Sequence, residues 1–220
     1  MTSNIQTTPA SNDQAAIVQL HVESGDYIIP IVYPDYQVAI PPEYQSFLGI
    51  QVFDKKEQFG HAGVLIINGK SGLSKYYEYG RYEQYGSRGG VNKISIPDAI
   101  IENGRILESS LVKIMATLSR GAGQGGRIEA VVFIGEYFNK ADAWLTDKSG
   151  PYRSPSRESY DVTSFNCMEF SLDLLRHLDI ETHWTGLIVE PQDEMEELQG
   201  DYRDIRYTPG SSKLEIEYEN

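Results

Sequence analysis

Cysteine is almost missing from this sequence: Cys167 stands alone among 220 residues. One thiol forms no internal disulfide and cannot supply the several thiolates of a cysteine-based zinc site. Nothing else in the sequence calls for a metal or a cofactor, and none is expected. Long apolar runs are missing as well. No window approaches the roughly 18 apolar residues that a membrane helix needs. Basic residues are scarce, with 19 Lys and Arg against 32 Asp and Glu, and the formal charge of −13 repels phosphate-rich partners. Nucleic acid and anionic membrane surfaces are therefore not expected partners. Residues 1–14 lack the basic start and apolar centre of a secretory signal and read as a flexible polar tail. This predicts a chain made and folded in the cytoplasm, exported only by something other than a cleaved signal.

What is present suits a folded core. Hydrophobic residues make up 40% and aromatics 11%, which predicts a single domain over residues 15–220. Tyr exceeds Phe by 15 to 7, a bias that fits half-buried strands and also a groove for polar, extended ligands. Segments 17–22 and 27–32 read as successive strands. The stretch holding Pro30, Pro34, Pro41 and Pro42 reads as extended loop or edge strand, and 47–53 as another strand. The clearest β signal is HAGVLII at 61–67 and SKYYEYGRY at 74–82, flanking an Asn/Gly turn. A short strand at 93–96 stops at Pro97.

Leu107, Leu111, Ile114, Met115 and Leu118 repeat at helical spacing. A strand at 127–134 and a short helix at 137–145 follow. From Cys167 onward, Phe170, Leu174, Leu175 and Leu178 form one helical stripe. Segment 184–189 reads as a strand, and 190–220 as an acidic, tyrosine-containing tail. Strands and helices without strict alternation indicate the α+β class.

Cys167 falls where a loop becomes a helix, a place that offers unpaired N–H groups and partial positive charge. Both favour a thiolate, and the same N–H groups can hold an oxyanion, which brings Asn166 and Met168 into the candidate site. The plain alternative is a buried structural cysteine. A nucleophile needs a base, and four histidines are available: His21, His61, His177 and His183. His61 opens an apolar strand and is the favoured base, with His183 in reserve. His177 lies about 15 Å along the helix from Cys167 and suits the helix C-terminus. An imidazole base needs an orienting group. In a hairpin turning near Ser71, the partner positions of His61 fall around residues 78–81. Glu78 is the carboxylate there, with Tyr77 and Tyr79 as alternatives and as groove candidates. The run GAGQGG at 121–126 matches GxGxxG but follows a helix and precedes a strand, the reverse of a dinucleotide site. It reads as a flexible connection, a lip of the groove.

GHAGV at 60–64, followed later by FNCMEF at 165–170, resembles the circularly permuted branch of the NlpC/P60 papain-like superfamily. That branch carries its histidine first, on a strand, and its cysteine later, opening a helix behind an Asn. The resemblance implies a papain-like fold, a central antiparallel sheet packed against the cysteine helix, with core motifs within 59–190. It implies Cys167 as nucleophile, His61 as base and Glu78 as the third, polar group. Glu169-Phe170 departs from the His-Phe that acyltransferase-like and PPPDE members often carry.

More narrowly, GHAGVLIINGKSGLSKYYEYGRYE is similar to papain-like peptidoglycan hydrolases delivered by type VI secretion. That implies an antibacterial amidase or endopeptidase acting on peptidoglycan peptides in a target cell's periplasm, with an immunity protein and a secretion-apparatus partner. Two other readings use the same residues. One is an acyltransferase, thioesterase or deconjugating protease; the other is a binding module whose Cys167 is structural.

Overall fold

The protein's structure is a computed structural model describing residues 25–39, 56–57, 60–82, 89–149, 160, 165–182 and 191–217. The expected strands at 17–22, 47–53 and 184–189, with His21 and His183, lie outside the described residues. In chain order come β1 (Asp26–Tyr33), β2 (Val38–Ala39), β3 (Lys56–Glu57), β4 (His61–Ile67), β5 (Ser74–Gly80), β6 (Gly90–Ile94), β7 (Ile101–Glu102) and β8 (Arg105–Ile106). Then follow α1 (Glu108–Gly121), β9 (Ile128–Val131), β10 (Phe133–Gly135), α2 (Phe138–Lys148), α3 (Cys167–His177), α4 (Pro191–Asp201), β11 (Asp204–Tyr207) and β12 (Glu215–Glu217). No helix among the described residues is long and apolar enough to cross a membrane.

An eight-stranded sheet of order β12-β11-β9-β1-β4-β5-β6, with β10 also on β1, forms the centre. Every described pairing in it is antiparallel, so the chain is α+β around an antiparallel sheet. β4 is buried along its whole length, which explains the unbroken apolar run Val64 to Ile67.

Both faces of the sheet are covered. On one, Leu111, Ile114, Met115 and Leu118 of α1 pack over Tyr27, Ile29, Ile31, Leu65, Ile67 and Tyr76. On the other, α2, α3 and α4 cover Ile28, Val32, Ala62, Val64, Ile66, Tyr77 and Tyr79. The alternation is the period of two that a strand imposes.

Two expectations are corrected here. Pro30 is not at an edge but in the central strand β1, opposite Val64 of β4. On its other side β10 pairs with Asp26 to Ile28 and β9 with Ile31 and Val32, leaving the interruption beside Pro30. A residue with no N–H cannot donate to a ladder, and the single strand expected at 127–134 is broken there. Val132 instead donates its N–H to the Arg203 carbonyl at 3.0 Å. The acidic C-terminal segment is also no tail. Met195 and Leu198 of α4 are buried in the core, and β11 extends the sheet from β9. Its acidic residues dominate the composition, while a few apolar ones at helical and strand spacing decide its place.

Candidate active site

Asn68 fixes the register of the β4–β5 hairpin. Its side-chain oxygen accepts from the N–H groups of Lys70 and Ser71 at 3.1 and 2.9 Å, and its own N–H donates to the Leu73 carbonyl at 2.9 Å. Closed this way, the hairpin sets Gly63 opposite Glu78. His61 shares a face with Gly63, so Glu78 is its diagonal neighbour. His61 Nε2 and Glu78 Oε2 are 3.2 Å apart, and both side chains are buried. Oε2 also accepts from the Tyr76 hydroxyl at 3.3 Å, and Oε1 from Asn92 Nδ2 at 2.8 Å.

The thiol arrives from α3. Asn166 caps this helix, its side-chain oxygen accepting from the N–H groups of Met168 at 2.9 Å and Glu169 at 3.1 Å. The cap starts the helix at Cys167, whose own N–H therefore has no acceptor within the helix. The Met168 N–H already donates to the cap and its side chain is fully buried, so Met168 is a core residue rather than an oxyanion donor. Cys167 is buried, and its sulfur lies near enough to His61 to raise the ionisation of that imidazole. Nε2 is the ring nitrogen that faces Glu78.

The ionisations of His61 and Glu78 are coupled. Burial opposes a charged imidazole, but interaction with the Cys167 sulfur and then with Glu78 outweighs it and holds His61 well above its ordinary value. Burial likewise raises Glu78, yet the bonds from His61 and Asn92 bring its carboxyl below the usual value. An imidazolium flanked by a sulfur and a carboxylate is the arrangement these shifts favour. Tyr160 stands near enough that burial and then the Cys167 sulfur raise its ionisation. Tyr36 lies across the imidazole, ring centres 5.0 Å apart.

The expected groove residues Tyr77 and Tyr79 do not share the sheet face of His61 and Glu78. Alternation turns them to the opposite face of the sheet, beneath α2 and α3, where both are almost wholly buried. Tyr79 packs there against Tyr160, Phe165 and Phe170 at 5.3 to 5.8 Å. His177 stacks on Trp144 at the far end of α3. The 121–126 run is fastened rather than loose. Gly123 and Gly125 donate N–H bonds to Leu118 and Ser119 carbonyls, and the Ser119 hydroxyl bonds the Gly126 carbonyl at 2.6 Å.

Sequence reasoning missed Tyr33, Tyr76 and Asn92. The period of two held the signal for Tyr76, two residues before Glu78, and Asn92 is a lone uncharged polar residue in a short strand.

A family model described as type VI secretion system effector TseH-like matches residues 28–181. The chain belongs to the TseH-like family of type VI secretion system effectors. The matched span contains His61, Glu78 and Cys167 together. The crystal structure of the type VI secretion system effector TseH is similar to this chain at 35% sequence identity. The likeness covers 90% of this chain and 100% of that one, with a TM-score of 0.76. Among curated proteins, none matches the chain in sequence. Membership makes this protein a type VI secretion effector.

Proposed function

We propose that this effector is a cysteine-dependent amide hydrolase that cleaves peptidoglycan peptides in the periplasm of a target bacterium. The observation that carries the reading is an imidazole bonded to a buried carboxylate and near enough to a helix-opening thiol for the sulfur to raise its ionisation. The order of histidine strand before cysteine helix supports the permuted NlpC/P60 relationship. Membership of an effector family supports an antibacterial role, delivery by the secretion apparatus and an immunity partner in the producing cell.

The chemistry follows from the geometry. His61 Nδ1 takes the Cys167 proton, giving a thiolate and an imidazolium. The thiolate attacks an amide carbonyl, forming the C–S bond, and the oxygen takes up negative charge opposite the Cys167 N–H. His61 then returns the proton to the departing amine as the C–N bond breaks. Water, deprotonated by the same imidazole, attacks the thioester; the C–S bond breaks to free the thiolate and a carboxylic acid, which loses its proton to solvent. Glu78 accepts from Nε2 throughout, which fixes the tautomer and opposes the positive charge on the ring.

Incubating wild-type and Cys167→Ala protein with purified sacculi, then resolving the released fragments by mass, tests this. New amine and carboxyl ends from the wild type alone are expected and identify the bond. Equal fragments from both proteins, or none from either, overturn the assignment.

A further inference from the structure

We propose that Tyr33 and Tyr76 are positioning residues of this site, a relay of two hydroxyls that holds the Glu78 carboxylate against His61. The inference rests on the catalytic reading above and extends it to residues outside the Cys-His-Glu group.

The bonds run in one direction. The Tyr33 hydroxyl donates to the Tyr76 hydroxyl at 3.0 Å, and the Tyr76 hydroxyl donates to Glu78 Oε2 at 3.3 Å. This is the oxygen that faces His61. Asn92 fixes the other oxygen, so the carboxylate is held at both atoms. Tyr33 and Tyr76 are almost completely buried. Burial above all pushes the ionisation of both well above the ordinary tyrosine value, so the two hydroxyls keep their protons and remain donors. Tyr33 touches the site twice, because its ring also stacks on the imidazole with centres 6.2 Å apart.

Burying two hydroxyls beside a carboxylate is costly on a sheet face over which α1 lays Leu111, Ile114, Met115 and Leu118. Phenylalanine would fill the same space without that cost. The backbone also makes room for these rings. A Cβ on Gly63 would collide with the Tyr76 hydroxyl and lie 2.6 Å from its Cζ. A Cβ on Gly123 would strike the Tyr33 ring and lie 3.0 Å from its Cε1. The second glycine of GHAGV and the second of GAGQGG are thus the clearances through which the relay passes. This gives both motifs a physical role that neither dinucleotide binding nor strand propensity provides.

The test is the rate at which iodoacetamide alkylates Cys167 at neutral pH, which needs no substrate. It is measured on wild type, Tyr33→Phe, Tyr76→Phe and the double variant, with thermal unfolding of each as a check on folding. Loss of one hydrogen bond to a charged group is expected to slow alkylation about tenfold in Tyr76→Phe. A smaller slowing is expected in Tyr33→Phe, whose ring still stacks. Because Tyr33 acts through Tyr76, the double variant should react no more slowly than Tyr76→Phe alone. Fast wild-type alkylation with folded variants that all match it overturns the relay and leaves the catalytic reading intact. Additive losses overturn it too, as the mark of two independent packing sites. Slow wild-type alkylation, unchanged in His61→Ala, overturns the catalytic reading and the relay with it.

Discussion

The two faces of the central sheet use tyrosine in opposite ways. On the α1 face, Tyr33 and Tyr76 join Glu78, Asn92 and His61 in a buried hydrogen-bonded group. On the α3 face, one residue further along the same strand, Tyr79 sits among Phe165, Phe170 and Tyr160 as a packing ring. The sequence Tyr76-Tyr77-Glu78-Tyr79 therefore alternates between positioning chemistry and supporting it. The two faces meet at the start of β4, where Cys167 comes from the packed side and His61 from the bonded side. Composition within a strand says little about role until the register assigns each residue to a face.

Substitutions on the two faces should separate activity from stability. The largest effect is expected at the meeting point. Cys167→Ala should leave no fragment release from sacculi above background while the protein stays folded by circular dichroism. Next comes Glu78→Gln, which keeps the shape but removes the charge that opposes the imidazolium. It should lower kcat by roughly 10²- to 10⁴-fold with a small change in KM, read by steady-state kinetics on a peptide amide.

Phe170→Ala, on the packed face, should reverse that pattern. It is expected to cost about 3–5 kcal/mol in urea unfolding and to leave kcat of the folded fraction near wild type. Tyr77→Phe should have the smallest effect. It removes a partly exposed bond to Asp142, so about 1 kcal/mol of stability and no activity should be lost. A large loss of kcat in Tyr77→Phe would erase the distinction between the faces.

The titrating groups sharpen the same contrast through pH. Glu78 lies below its ordinary carboxyl value of about 4.3. Its ionisation therefore stabilises the fold above that pH, and the contribution is lost as pH falls through the folded value. His61 lies above its ordinary value of about 6.5. Its contribution is complete below that pH and fades as pH rises through the folded value. The Tm difference between wild type and Glu78→Gln should accordingly be full near pH 6 and shrink towards pH 3. Phe170→Ala should show a Tm difference that does not vary with pH in this way.

Much of this was legible in the sequence, and the physical reasons differ by element. The β4–β5 hairpin was clear because an Asn/Gly turn and β-rich flanks agree, and Glu78 followed from counting across the turn. The helix stripes of α1 and α3 were clear because their apolar residues repeat at 3.6. Pro30 misled because a strand tolerates proline where the neighbouring ladder is interrupted, which is a property of the partner strands. The C-terminal segment misled because Met195, Leu198 and Ile205 decide its burial while its many carboxylates decide its composition. Tyr77 and Tyr79 were placed in a groove because aromatic content does not report which face a side chain takes. The relay through Tyr33 was out of reach for the same reason, since it joins β1 to β5 across β4.

The central claim is that His61 is held as an imidazolium between Cys167 and Glu78. Titration of the His61 ring by NMR, in wild type and in Cys167→Ala, addresses it directly. The account requires a wild-type value well above 6.5 and a clear downward shift when the sulfur is removed. A wild-type value at or below the ordinary one, or no response to Cys167→Ala, would contradict it.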